Sequence, residues 1–476
     1  MNPGQKHYIK LFNMRLLKIK AITANSFDVY LFFIPLLSIR TSGRKTNINF
    51  LFIQKMYESI KKHYSKIFNA KKNRKSKQEI LQRFRNGEKV KICLMVQRPG
   101  TWCFDYLYKL LEQDSRFEPI VFILPDPAYG VEAQLEYIDL VYKELEPKGY
   151  NIIKGRDTTT KKFVGIRKDI NPDIFYYTDF GKWHYHKENY ITYFLDKISF
   201  LTDYGFSVMD DQFTCIFELN NLVNLYLRPT IFHKTMAERL MKNKGSNVVV
   251  TGSPKLDTLF DKSFKPTDIW KPQEKPKKRI IWSPHHSASE KNPDQWMMDS
   301  FYKLYDFMLE IAEKYKDEVQ FVFRPHPILK SYLEKKWGSY ITKQYYDKWA
   351  KGTNTQYYTG NINDLFATSD AMIMDCLSFM AEYTAFNKPL FHTATDTCRI
   401  KLNEFGEILY KNFYTPTNNL EENIENFIQD VVINGNDYKK EQRTQFVQQY
   451  FGKINGKTAS ENIYDEIIKF LEKGEV

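Results

Sequence analysis

Paired cysteines and long apolar runs are what this sequence does without. Its five cysteines, Cys93, Cys103, Cys215, Cys376 and Cys398, stand apart with no CxxC spacing. Such an odd, scattered set excludes a disulfide framework and a cysteine zinc site, and it suits a reducing compartment. No stretch approaches the ~18–20 apolar residues needed to cross a bilayer. The longest, Tyr30–Leu37, is interrupted by Pro35. Residues 1–40 carry no small-residue cleavage site behind a clean apolar segment, so no secretory leader is expected.

What is present is a long globular chain with very uneven charge. Its 476 residues exceed one ordinary core and fit two α/β domains plus an extension. A hydrophobic content of 42%, with 16% aromatic residues, excludes wholesale disorder. Residues 1–85 hold 19 Lys and Arg against only Asp28, Glu58 and Glu79, a net +16. The whole chain is +13, so the remainder sums to −3. A local excess of this size is an address for something anionic, either lipid headgroups or nucleic acid. Nucleic-acid binding would need a basic face on a folded domain, and residues 86–476 are net acidic, so no nucleic acid is expected.

The pattern along the chain divides it further. Leu11–Lys20 is echoed twenty residues later by Leu31–Arg40, each unit short and β-like. Phe50, Ile53, Tyr57, Ile60, Tyr64 and Ile67 then recur at helical spacing, with Lys55, Lys61, Lys62 and Lys66 between them. Two readings suit this stripe, a helix lying on an anionic bilayer and a helix packed on the first domain. The basic stretch Lys71–Arg85 reads as a linker. From Lys89 onward, short apolar runs alternate with helix-length segments, which indicates a parallel sheet covered on both faces. Strands are expected at Val90–Val96, Pro119–Leu124, Asp173–Tyr177 and Asn247–Thr251. Lys265–Lys278, rich in Pro and Lys, reads as an interdomain linker. The alternation restarts with strands at Arg279–Ser283, Val319–Arg324, Thr355–Tyr358, Ala371–Asp375 and Pro389–His392. A last helix near Ser460–Leu471 buries Ile463, Ile467 and Phe470. The expected division is a basic extension over 1–86, doubly wound Rossmann-like domains over 87–264 and 279–455, and a C-terminal helix over 456–476. Ligands of such folds lie past the carboxyl ends of the strands, in the cleft the two domains face.

Four constellations follow predicted strands. In Thr251-Gly252-Ser253-Pro254-Lys255-Leu256-Asp257 the glycine permits a tight turn and Pro254 opens a helix whose free N–H groups can take an anion. In Ser283-Pro284-His285-His286-Ser287, two adjacent histidines beside a buried strand call for a polar partner. No further ligand at a familiar zinc spacing accompanies them, so a phosphate or hydroxyl suits them better than a metal. In Arg324-Pro325-His326-Pro327, flanking prolines stiffen a backbone that presents a guanidinium for phosphate and an imidazole for proton or hydrogen-bond transfer. In Asp370–Ser378, Asp375 ends a strand and Ser378 caps the next helix, where hydroxyl and amides can hold a diphosphate. Glu382, one turn on, faces a ribose or polyol.

At these residues the chain resembles the CDP-glycerol glycerophosphotransferase family, which makes teichoic acids and capsular polymers. GSPKLD, SPHHS, RPHP and SDAMIMDCLSFMAEYTAFNKPLF occur in its order and spacing over roughly Asn247–His392. The N-terminal repeat resembles small repeats on bacterial capsule and lipopolysaccharide glycosyltransferases. The family resemblance implies a GT-B fold, a CDP-polyol donor in the C-terminal domain and a membrane-linked or capsular polymer acceptor; no cofactor is expected. It places His326 beside the donor diphosphate and Ser378 in the phosphate site. The family's usual Thr-Asp-Tyr-Ser-Ser reads Met374-Asp375-Cys376-Leu377-Ser378 here, and its first-domain His-Gly pair is matched only by Tyr204-Gly205. The base is therefore open, with His285 and His286 as candidates. Donor contacts are expected from Gly252, Ser253, Lys255, Arg324, Asp375, Ser378 and Glu382, and catalysis from His326, His285 and His286. A GT-B glycosyltransferase using a nucleotide sugar is the alternative. The expected location is cytoplasmic, peripheral on the inner face of the membrane.

Overall fold

The structure, a computed structural model, describes residues 6–11, 14–23, 26–31, 34–42, 45–49, 70, 72–179, 181–210, 217–286, 300–377, 379–393 and 401–474. It divides into two units, Met1–Lys77 and Gln78–Val476.

In the first unit, β1 (Lys6–Leu11), β2 (Met14–Thr23), β3 (Ser26–Leu31), β4 (Ile34–Ser42) and β5 (Lys45–Asn49) form one sheet in sequence order. Every neighbouring pair is antiparallel. The twenty-residue repeat is a repeat of hairpins. Leu11 pairs with Met14 and Leu31 with Ile34, and the register shift at Ile9/Lys10 recurs at Val29/Tyr30. The amphipathic stripe Phe50–Ile67 lies outside the described residues.

The expected linker at 71–85 is instead helical over 72–85. Ile80, Leu81 and Phe84 recur at helical spacing and sink into the core of the second unit, and Arg83 pairs with Asp173. The density of Lys and Arg conceals this short stripe in the sequence.

The second unit holds two parallel sheets. In the first, β6 (Val90–Val96), β7 (Phe117–Ile123), β8 (Ile152–Lys154), β9 (Ile174–Tyr177), β10 (Ile198–Thr202), β11 (Leu225–Arg228) and β12 (Val248–Val250) are arranged β12-β11-β10-β9-β6-β7-β8. In the other, β13 (Lys278–Ser283), β14 (Val319–Phe323), β15 (Thr355–Tyr357), β16 (Ala371–Met374) and β17 (Leu390–His392) are arranged β15-β14-β13-β16-β17. Each sheet starts in its middle, runs outward to one edge, then returns and runs to the other. The order reverses between β6 and β9, and between β13 and β16, and ligands of open α/β sheets bind at such points. Helices cover both faces, so the central strands are buried runs such as Ile280, Ile281 and Trp282.

Three strands of the first sheet, β8, β10 and β11, have no counterpart among the strands expected from the sequence. They are short; β10 follows a run of 3-10 turns and β11 a helix of only five residues, Glu218–Leu222. The Lys265–Lys278 connection has no regular element until β13 but is pinned down. Trp270 is buried and donates to Thr368, and Lys271 Nζ reaches the carbonyls of Ala350, Gly352 and Thr355.

The last helix, Ala459–Lys473, lies on the first sheet, where Ile463, Ile467 and Leu471 join its core. Thr458 and Glu461 make a capping box at its start. Asp257 satisfies two more end amides, accepting from Ala459 N at 2.9 Å and Ser460 N at 2.8 Å. The acidic residue of the GSPKLD motif thus ties the chain's end to the first domain.

Candidate active-site cleft

At the reversal point of the second sheet, the loop after β13 and the loop after β14 lie side by side because their strands are paired. Three bonds lock the loops together. Arg324 N donates to Trp282 O, His326 N to Pro284 O at 2.9 Å, and Ser283 Oγ to Arg324 O at 2.8 Å. Asp375, past β16, accepts from His285 N and from Ser300 Oγ, both at 2.6 Å. Both of its oxygens therefore brace the loop. Burial raises its carboxyl to about 6.

This frame gathers His285, His286 and His326, whose ring centroids are 4.1–4.9 Å apart. Their ligating atoms all lie within 4.8 Å of one another, so this cluster has the composition to hold a metal ion. The sequence names all three but gives His285 and His286 no third ligand and so expects no metal, because His326 joins them through strand pairing and not through spacing. Burial keeps all three neutral. It lowers His285 to about 2, His286 to about 4 and His326 to about 3, helped by neighbouring imidazoles for His285, and by His286 and Arg98 for His326. His326 Nδ1 accepts from Ile328 N at 3.3 Å, which leaves the proton on Nε2 as a donor.

Arg324 stands beside them. Nη1 donates to Tyr358 O at 3.2 Å, while Nε is buried without a partner. No carboxylate pairs with this guanidinium among the described residues, and burial lowers it to about 10. A desolvated cation with spare donors is an anion site in waiting.

Neutral buried imidazoles have a cost in acid. Below pH ~6.5 the unfolded chain protonates His285, His286 and His326, and also His233 and His392, which burial likewise depresses. The folded state does not, so it binds fewer protons and its stability falls as pH drops from about 6.5 toward 4. The carboxyls that burial raises, Asp375, Glu382, Asp257 and Glu144, act in the opposite sense but are fewer. Urea midpoints are expected to decline through this window, and less steeply in His286→Asn.

The first domain supplies the facing wall. Lys255, in the 3-10 helix Pro254–Phe260, lies 3.9 Å from Glu382 and 5.5 Å from the centre of the Tyr204 ring. Burial raises Glu382 to about 7 against the opposing pull of Lys255, and its Oε2 has no partner. A Cβ on Gly205 would stand 3.3 Å from the same carboxyl. Gly252 adopts φ +88, and a Cβ there would meet Ala459 at 3.1 Å, so this glycine serves the packing of the last helix. Ser253 is buried at the start of the short 3-10 helix and makes no side-chain cap. Lys255 and Glu382, expected at one site, are together. His285, His286, Arg324, His326 and Asp375 form another group. Gly252 and Ser253 belong to the scaffold side. Ser378 lies outside the described residues.

A further polar group escaped the sequence reading. Arg98, past β6, pairs with Asp179, past β9, at 2.5 Å and lies 3.7 Å from Asp126. His184 Nδ1 is 2.8 Å from Asp126 Oδ2. Arg98 and Asp179 directly follow two strands that flank a reversal point, which is the signal that could have found them. His184 sits among short 3-10 turns, where spacing carries no signal.

Two doubly wound parallel domains in one unit, with polar clusters beyond their strand ends, define the GT-B fold. A UDP-N-acetylglucosamine 2-epimerase structure from Listeria monocytogenes aligns with a TM-score of 0.52 and 15% identity over 81% of this chain and 97% of that one, a likeness of fold. The family model CDP-Glycerol:Poly(glycerophosphate) glycerophosphotransferase matches residues 218–469, more than half of the chain, and the chain belongs to that family. It is 27% identical over 230 residues to the teichoic acid poly(ribitol-phosphate) polymerase of Bacillus spizizenii, covering 47% of this chain and 33% of the relative. It is 25% identical over 236 residues to the Staphylococcus aureus teichoic acid ribitol-phosphate polymerase TarK, covering 46% of this chain and 40% of the relative. The chain thus spans well under half the length of these relatives.

Proposed function

We propose that this chain transfers a polyol phosphate from a CDP-activated donor to a hydroxyl of a membrane-linked or capsular polymer. The observation that carries the reading is Arg324, a desolvated guanidinium with no carboxylate partner among the described residues, next to three neutral imidazoles at a sheet's reversal point. Phosphate oxygens satisfy such donors, and transfer at phosphorus asks chiefly for alignment and positive charge. In this reading Arg324 and the Nε2–H of His326 hold the donor diphosphate. Glu382, paired with Lys255, accepts from a polyol or ribose hydroxyl. Family membership and the two polymerase relatives support a CDP-polyol over a nucleotide sugar.

The deciding experiment supplies the protein with CDP-glycerol, CDP-ribitol or UDP-N-acetylglucosamine and a lipid-linked oligo(glycerol phosphate) acceptor. Release of CMP is expected. Release of UDP instead would establish a glycosyltransferase and remove this reading.

The basic N-terminal segment is proposed as the address for an anionic bilayer on the cytoplasmic face. No helix among the described residues is long and apolar enough to cross a membrane. A net +16 over residues 1–85 offers about 1 kcal/mol per basic residue touching the surface, screened beyond about 8 Å at physiological salt. The protein is expected to co-sediment with phosphatidylglycerol vesicles at low salt, weakly at high salt, and poorly with neutral vesicles. Protein left in the supernatant of anionic vesicles at low salt would refute the address.

A further inference from the structure

We infer that the two helices following the RPHP loop are a membrane contact of their own, separate from the basic segment, with Tyr340 and Ile341 at their tip entering the headgroup region of an anionic bilayer. The binding stands on the surface of the second unit alone. Its consequence for turnover rests on the transfer reading proposed above.

Local structure sets the shape. The first helix, Leu329–Trp337, begins just after His326, and the ring centre of its Tyr332 lies 5.4 Å from that of His286. Its length carries the chain roughly 13 Å from the histidine loops. Gly338 then takes φ +83, with nothing within 4 Å of the Cβ it lacks, and the second helix, Ser339–Lys351, turns back. Lys330 Nζ lies 5.8 Å from the centre of the Tyr346 ring, an approach that a straight helix between those residues would forbid.

Packing decides which faces are left over. In the second helix Thr342, Tyr345, Tyr346 and Trp349 are buried at helical spacing and face the core. In the first, Leu329 and Leu333 are buried, and Trp337 packs its ring among Phe301, Tyr305 and Tyr345. Those contacts hold the turn on the body of the domain. The residues beyond it have no place in the core. Tyr340 is 74% exposed and Ile341 54%, and Tyr332, nearer the histidines, is 45% exposed.

Charge points to the partner. Lys330, Lys335, Lys336, Lys343, Lys348 and Lys351 are all exposed on the two helices, against Glu334 and Asp347. Asp347 is itself held between Lys343 at 2.7 Å and Lys351 at 2.9 Å. The two helices are net +4, while residues 86–476 together are −3, so the rest of that stretch is −7. A basic patch on an acidic body turns that patch toward an anionic surface. Lysines alone would serve any polyanion. A tyrosine and an isoleucine among them favour the boundary between water and hydrocarbon, where lysines bury their stems and keep their charged heads in water. An anionic bilayer offers both surroundings at once, whereas a dissolved polyol phosphate chain offers only the charge. Contact through this tip holds the histidine loops about one helix length from the headgroups, where the end of a lipid-linked chain arrives.

The test is hydrogen exchange of the full chain, alone and with phosphatidylglycerol or phosphatidylcholine vesicles at low salt. The amides of Ser339, Tyr340 and Ile341 stand in the first turn of a helix, where no intrahelical carbonyl reaches them, so they exchange fast in water. Phosphatidylglycerol vesicles are expected to slow exchange over residues 337–343 by about threefold or more, and phosphatidylcholine vesicles less. Tyr340→Ser combined with Ile341→Ser is expected to keep the thermal midpoint and to lower the partition onto phosphatidylglycerol vesicles about fivefold. The same double variant is expected to slow CMP release with a lipid-linked acceptor in vesicles, and to match the parent when the oligo(glycerol phosphate) is freed of its lipid.

Exchange over 337–343 that anionic vesicles leave unchanged, while the protein sediments with them, overturns the inference. Equal slowing by neutral vesicles, or by dissolved oligo(glycerol phosphate), also overturns it, since the lysines or the apolar tip would then have no part. Slowing that grows with protein concentration in the absence of vesicles marks a contact between copies and overturns it too, as does a double variant that partitions like the parent. Protein that stays off anionic vesicles altogether overturns this contact and the basic-segment address together, and leaves the transfer reading to its own test. No CMP release by the parent removes the transfer reading and leaves the contact to be decided by exchange.

Discussion

Arg324→Met is expected to reduce turnover with a CDP-polyol by about 10²–10³-fold, the loss typical of removing one preorganised donor from developing phosphate charge. The methionine fills much the same volume but offers no N–H. Arg324 makes one side-chain bond, to Tyr358 O, and has no carboxylate partner among the described residues, so the fold loses little. Taking an uncompensated cation out of the interior relieves a desolvation cost, so the thermal midpoint is expected to hold or rise. Activity and stability therefore move in opposite directions, which separates a ligand-holding arginine from a structural one. Donor affinity by calorimetry, CMP release and a thermal melt make the comparison. Unchanged donor affinity and turnover would take Arg324 out of the site.

Asp203→Ala is expected to destabilise the second unit by about 3–5 kcal/mol, the usual result of stripping the partner from a buried ion pair. Arg228 is 1% exposed on β11 and pairs with Asp203, which also accepts from Tyr226 at 2.8 Å. An ordinary domain has about 5–15 kcal/mol in total, so this single loss threatens folding. Asp203→Ala combined with Arg228→Met removes both charges, and the pair is expected to recover most of the deficit. Urea unfolding of the three variants gives the comparison. A loss below about 1 kcal/mol in the single variant would mean that the pair is solvated in practice.

Much of the catalytic body was legible because buried parallel strands write themselves as apolar runs. Val90–Val96 was read with the bounds the structure has, and the five strands of the second sheet were each placed to within one residue. Loops after those strands named His285, His286, Arg324, His326, Asp375 and Glu382 as polar groups at strand ends. Elements whose pattern was masked were missed. The helix at 72–85 hid its short apolar stripe behind lysines, and β10 follows short 3-10 turns in place of a helix long enough to show a period.

Sequence alone determined the α/β class, the two doubly wound sheets, the basic segment and the family motifs. Each of these is a property of residues near one another in the chain, where periodicity and charge density act. Only the tertiary structure decided which groups meet. His326 joins His285 and His286 because β13 and β14 pair in register, and Asp257 reaches Ala459 across some 200 residues to cap the last helix. Arg98, Asp126, Asp179 and His184 come together because the strand order reverses between β6 and β9. Strand order is set by how crossover helices pack on both faces of a sheet, a contest of burial over the whole domain that no local spacing records.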